Sequence, residues 1–176
     1  ALACGALLPD RVTAVVAFSS PAPLSADDLD WFGGIAPAGE AELRAAMAGR
    51  EALEAHVASA EFDPEVFTDA DHAALKGPWT SLGANAVASM PAGFGGLVDD
   101  NLAIVAPWGF DPAQVGVPTL FVHGVPDRVV PSKHAEWLAN RCRPHSELWL
   151  SPQEGHVSIL NRAEEAFDWL VNASRG

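Results

Sequence analysis

Three short apolar runs, set far apart, constrain what this chain can fold into more than any other feature. They are RVTAVVAF (residues 11–18), VPTLFVHG (117–124) and SELWLSP (146–152). The first two are rich in β-branched residues and lack the apolar–polar alternation of a strand with one wet face, so they suit strands buried on both sides. Helical patterns follow. VPSKHAEWLANRC predicts a helix opened by Pro131 or Ser132. NRAEEAFDWLVNAS predicts a C-terminal helix with Ala166, Phe167, Leu170 and Val171 on one face. Residues 1–8 read as the back end of an Ala/Leu-rich helix stopped by Pro9. Strands separated by helices imply an α/β fold with a parallel sheet and right-handed crossovers.

The texture changes between Leu24 and Pro107. Ala, Glu and Asp dominate there, and the apolar period is helical, with Leu43, Met47, Leu53 and Val57 on one pattern. Asp63 followed by Pro64 has the form of an N-cap and first helical position. Three to five short helices are expected, and no strand. Two divisions follow: a core of residues 1–23 and 108–176, and a helical insertion over 24–107.

The formal charge of −13 argues against a nucleic-acid partner or an anionic membrane surface, both of which select basic patches. No apolar run approaches the roughly 18 residues needed to span a bilayer. Cys4 and Cys142 form no C-x-x-C pair and no disulfide framework, which fits a reducing, cytoplasmic setting. The six histidines show no H-x-x-x-H spacing and no clustered His/Cys set, so no metal site is expected.

In a parallel α/β sheet the chemistry sits on loops past the carboxyl ends of the strands. Two such loops stand out. One places Asp127 just after the strand Thr119–Val122, and the other places His156 just after Glu147–Leu150. If the two strands are neighbours, the loops meet. A carboxylate accepting from the Nδ1–H of an imidazole fixes its tautomer and leaves Nε2 to take a proton.

With these residues in place, the chain resembles the C-terminal part of an α/β-hydrolase-fold protein of the actinobacterial type. His123-Gly124-Val125-Pro126-Asp127-Arg128-Val129-Val130-Pro131 matches the H-G-x-x-D-x-x-V-P form of that family's acid loop, and Gly155-His156 its histidine loop. The resemblance implies about three parallel strands, equivalent to strands six to eight, with a helical lid inserted after the sixth. It also implies Asp127 as triad acid and His156 as base, with no cofactor.

The family's G-x-S-x-G nucleophile elbow occurs nowhere in the 176 residues. Ser19 and Ser20 lack flanking glycines, Ser81 lacks the first glycine, and Ser158 follows the histidine. The expected parent activity is hydrolysis of an ester, lactone or similar small-molecule acyl substrate, with the serine supplied from before Ala1. The alternative is a catalytically inactive fragment with a binding or interaction role. Trp108, Phe110 and Val129 are the expected substrate-lining residues, and Trp79, Met90 and Phe94 are further aromatic or apolar candidates in the lid. The Asp99–Asp100 pair reads as a solvated turn or cap. His123 reads as structural, packed under the acid loop. The strand at 11–18 lacks its strand-five neighbour, so an open edge is expected to drive self-association or to recruit a partner chain.

Overall fold

The structure, a computed structural model, describes residues 1–175. Three parallel strands form one sheet in the order β1-β2-β3: β1 (Val15–Phe18), β2 (Thr119–Gly124) and β3 (Ser146–Ser151). β2 is central and every residue in it is buried. Its side chains alternate between two cores because strand side chains have a period of two. Phe121 joins Val115, Val117, Leu138 and Cys142 on the face covered by α1 (Leu2–Leu7) and α7 (Lys133–Arg141). Leu120 and Val122 join Ile159 and Ala166 on the opposite face, under α8 (Ala163–Ala173). A fully buried Val, Leu or Phe contributes roughly 1.5–3 kcal/mol, so β2 supplies a large share of what holds the layers together.

The sheet edges differ from the expectation of strands buried throughout. β1 begins only at Val15, and Val16 and Phe18 stay half-buried. The open side of β1 faces a groove lined by Val16, Phe18, Trp79, Leu160, Phe167 and Leu170. That groove explains a second departure. Of the apolar face expected on α8, Ala166 is buried, whereas Phe167 and Val171 are about half exposed. Their pattern is helical, but no described element covers that side.

Residues 37–105 are all-helical apart from short connections, with five α-helices: α2 (Pro37–Ala48), α3 (Arg50–Ser59), α4 (Asp69–Lys76), α5 (Thr80–Ser89) and α6 (Gly95–Val105). α2, α3 and α6 share a small core of Ala46, Leu53, Val57 and Val98. Met47, expected in that core, is half exposed, and its neighbour Ala46 takes the buried position. α4 packs on α5 and on the 3-10 turn Ser158–Arg162, which follows the His156 loop. Asp63 does cap a helix, but only the 3-10 turn Pro64–Val66; α4 starts five residues later, behind Thr68. Asp99 and Asp100 lie inside α6 rather than at a turn or cap, and Asp99 pairs with Arg50 on the surface.

The segment 24–36 is not helical. Trp31 is buried there, and its Nε1–H donates to the Ala22 carbonyl at 2.9 Å. The His134 ring of α7 packs edge-on against Trp31. It accepts the Ala22 N–H at Nδ1 (3.1 Å) and donates from Nε2 to the Trp31 carbonyl (2.9 Å). A carbonyl only accepts, so this pair of contacts sets the tautomer. His134 thereby fastens the exit of β1 to the helix that follows the acid loop.

Candidate acid–base site

The carboxyl ends of β2 and β3 lie side by side, so the loops that leave them meet. Two glycines make the approach possible. A Cβ on Gly124, at the end of β2, would run into the carbonyl oxygens of Glu154 and Gly155. A Cβ on Gly155 would run into the Asp71 carboxylate and the Thr68 hydroxyl. Each position needs a residue without a side chain because another chain segment occupies the space. This is the physical content of the H-G and G-H pairs read in the sequence.

Asp127 is buried, with its side chain fully out of solvent. One oxygen, Oδ1, accepts the backbone N–H groups of Val129 and Val130, both at 2.9 Å. The other, Oδ2, lies 2.9 Å from Nδ1 of His156. The turn-forming role and the histidine-orienting role are therefore carried by the two oxygens of one carboxylate. Burial would push this carboxyl up, but the hydrogen bonds from His123 and His156 outweigh it and hold it far below the usual carboxylate range.

A carboxylate can only accept, so Nδ1 of His156 carries the proton. Nε2 then presents a lone pair, and it has no hydrogen bond among the described residues. The His156 side chain is 29% exposed and borders a cavity of about 600 Å³. Phe62, Val66, Phe67, Leu97 and Val129 give that cavity apolar walls, and Arg128 gives it a cation. Such a site can take a proton at Nε2 and return it, with the imidazolium stabilised by Asp127.

His123 is fully buried beneath the acid loop. Its Nε2–H donates to the Val130 carbonyl at 2.7 Å and lies 3.4 Å from Asp127 Oδ2. It supports the loop from below, in keeping with its reading as structural.

Trp108 and Phe110 are not brought to the His156 cavity. Their rings stack 5.5 Å apart and pack on the α7 side of the sheet, lining a separate cavity of about 770 Å³ with Pro23, Trp137 and Arg141. The aromatic residues follow the helical segment in sequence, but the chain there packs on the core under α7 rather than beside His156. Trp79 donates to Asn161 and lines the β1 groove; Met90 and Phe94 are exposed. Of the expected lining residues, Val129 alone borders the cavity with His156.

Two residues at the site carry no local sequence signal of a contact with His156. Ser19, at the exit of β1, is in the left-handed region with φ 43°, which is uncommon for a residue with a side chain. Its hydroxyl donates to the His156 carbonyl at 3.5 Å. Asp71 of α4 is 1% exposed and accepts the His156 backbone N–H at 3.2 Å. The pattern Thr68-x-x-Asp71 announces a capping box, which is present. The bonds from Asp71 to residues 156–158 span 85 or more positions and leave no trace in the local pattern.

Solved structures match nearly all of this chain in fold. MGS-M2, an α/β hydrolase from a Medee basin deep-sea metagenome library, matches 99% of it at 16% identity with a TM-score of 0.59. A thermophilic esterase from Thermogutta terrifontis matches 98% at 19% identity (TM-score 0.58). Est816, described as an N-acyl homoserine lactone degrading enzyme, matches 97% at 22% identity (TM-score 0.57). The chain covers 60% of the first of these structures and 61% of each of the other two. No family model and no curated protein matches the sequence. The chain has the C-terminal part of an α/β-hydrolase fold.

Proposed function

We propose that this chain carries the acid and the base of a serine-type acyl hydrolase, with Asp127 orienting His156 and His156 acting as general base. The observation that carries the reading is the 2.9 Å contact between His156 Nδ1 and a buried Asp127 oxygen, with Nε2 left open beside an apolar cavity. The nucleophile would come from polypeptide outside residues 1–176. No serine here sits in a G-x-S-x-G turn, and the Ser19 hydroxyl contacts the His156 carbonyl at 3.5 Å with no hydrogen bond to the ring among the described residues. The cavity walls suit the acyl part of an ester or lactone of modest size, with Val129 among the residues that would touch it.

Residues 1–176 alone are expected to give no burst with an activated ester and no labelling by a serine-directed phosphonate. The triad would lack its serine and the donors that bind the oxyanion. Stoichiometric labelling of Ser19 would overturn the placing of the nucleophile elsewhere. In a protein that includes the preceding coding sequence, His156→Ala is expected to lower kcat by about 10⁶-fold on acyl esters. Unchanged turnover in that variant would sink the general-base reading.

The open edge of β1 supports a second element of this proposal. Its unpaired backbone and its apolar groove fit a strand donated by another polypeptide, by the mode in which extended segments add to sheet edges. A chain supplying that strand would also be placed to bring a nucleophile toward His156.

A further inference from the structure

We infer that Asp71, a residue of the lid helix α4, is the positioning residue for the proposed base: its carboxylate holds the backbone of the His156 loop and so ties the seating of α4 to the aim of the imidazole. The inference rests on the reading of His156 as general base. It adds a residue outside the triad.

The Asp71 carboxylate accepts six hydrogen bonds. Oδ1 takes the N–H groups of Val157 and Ser158, each at 2.8 Å, and the Ser158 hydroxyl at 2.9 Å. Oδ2 takes the His156 N–H at 3.2 Å, the Thr68 N–H at 3.0 Å and the Thr68 hydroxyl at 2.8 Å. Three consecutive N–H groups of the histidine loop thus converge on one buried anion contributed from 85 or more residues upstream. Val157 and Ser158 open the 3-10 turn Ser158–Arg162, whose first N–H groups have no partner within the turn.

The other side of the loop is held as well. Ser158 Oγ accepts the Gly155 N–H at 2.7 Å, and Ser19 donates to the His156 carbonyl. His156 is therefore gripped at its N–H by the lid and at its carbonyl by the exit of β1, while its ring is held by Asp127. Burial would push the Asp71 carboxyl up, but the bonds from Ser158 and Thr68 outweigh it, so the group stays ionised. An ionised acceptor roughly doubles the strength of such bonds. An amide would have one acceptor oxygen for six donors.

The test compares the 176-residue chain with Asp71→Asn and Asp111→Ala, using ¹⁵N-labelled protein. The downfield Nδ1–H resonance of His156 reports the bond to Asp127, and amide exchange reports the loop. Asp71→Asn is expected to weaken or shift the Nδ1–H resonance and to speed exchange at His156, Val157 and Ser158 by roughly ten- to a hundredfold, as loss of charge-assisted bonds implies. Asp111→Ala removes the cap of the 3-10 turn Pro112–Gln114 and the ion pair with Arg141, both away from the His156 loop. It is expected to lower the melting temperature and leave the His156 resonance in place.

A folded Asp71→Asn protein with an unaltered His156 resonance would overturn the inference. If asparagine prevents folding, Asp71→Glu is read on the same two signals; it keeps the charge but displaces the oxygens by one methylene. In a catalytically complete protein, Asp71→Asn should lower kcat about ten- to a hundredfold with KM little changed. Full turnover there, alongside loss in His156→Ala, would reject the Asp71 role and leave the base assignment standing.

Discussion

Replacing Asp127 by alanine is expected to lower the unfolding free energy by about 4 kcal/mol, the effect of removing one member of a buried, charge-assisted network. The carboxylate is buried, and besides the longer His123 contact, which keeps the Val130 carbonyl as a second acceptor, three donors converge on it: the N–H groups of Val129 and Val130 and the Nδ1–H of His156. Alanine leaves all three without an acceptor in a region that water does not reach. Asp127→Asn should behave differently, and the contrast separates the two roles of the side chain. The amide oxygen can still accept from Val129 and Val130, so most of the stability should be retained. The amide nitrogen then faces Nδ1 of His156 as a donor, and the imidazole must move its proton to Nε2 to answer it. The loop stays folded while the base loses its lone pair. Chemical denaturation should show a large loss for alanine and a small one for asparagine, while imidazole ¹⁵N shifts should show the exchanged tautomer only for asparagine. In a complete enzyme the asparagine variant should lose roughly 10⁴-fold in kcat, the effect of a wrong tautomer. Equal destabilisation by both substitutions would contradict the division of labour between the two oxygens.

His134 is expected to make the fold lose about 3 kcal/mol between pH 6.5 and pH 4. Burial pushes this imidazole down to about 4 from its ordinary 6.5. The depressed value means that the folded state favours the neutral ring. Its contribution is fully present above pH 6.5 and is lost as pH falls, because the unfolded chain takes up a proton that the folded chain refuses until about pH 4. Below that point both states are protonated and the loss levels off. Asp127 and Asp71 have lowered values and act in a separate window: their stabilisation is present above the usual carboxylate range and is lost as pH falls below it. Urea unfolding at pH 7.5 and 4.5 should show the His134 loss. His134→Asn can keep the bond from the Ala22 N–H, gives up the one to Trp31, and should show much less change across that interval. His134→Ala leaves the Ala22 N–H and the Trp31 carbonyl unpaired and is expected to cost about 3 kcal/mol at neutral pH. An identical pH slope in the wild type and the asparagine variant would assign the effect to other groups.

The strands were legible because burial on both faces leaves a local mark: Leu120, Phe121 and Val122 are apolar without interruption, and a single residue window shows it. The Asp127–His156 pair was legible for a related reason. Each follows its strand by a few residues, and consecutive parallel strands tend to be neighbours. The errors have equally specific causes. Residues 24–36 have the composition of the helical insertion, yet they form no helix, and Trp31 is buried against His134. Residue type alone puts Trp108 and Phe110 at a substrate cavity, whereas the path of the chain packs them on the core under α7, beside a separate cavity. Phe167 and Val171 follow the helical period, but period says which side of a helix is apolar and not whether anything covers it.

By itself the sequence determined the parallel α/β class, the order of strands and helices, and the loops that carry Asp127 and His156. These follow from periodicity, turn residues and short spacings, all of which act within a few residues. The tertiary structure alone decided which groups hold the His156 loop and the exit of β1 in place. Asp71, Ser19 and His134 look like ordinary members of a helix, a loop and a helix. They acquire roles because folding removes water from around them, and a buried donor or acceptor must then be answered by whatever segment the topology brings near. For His156 those segments are the exit of β1, 137 residues away, and helix α4, 85 residues upstream.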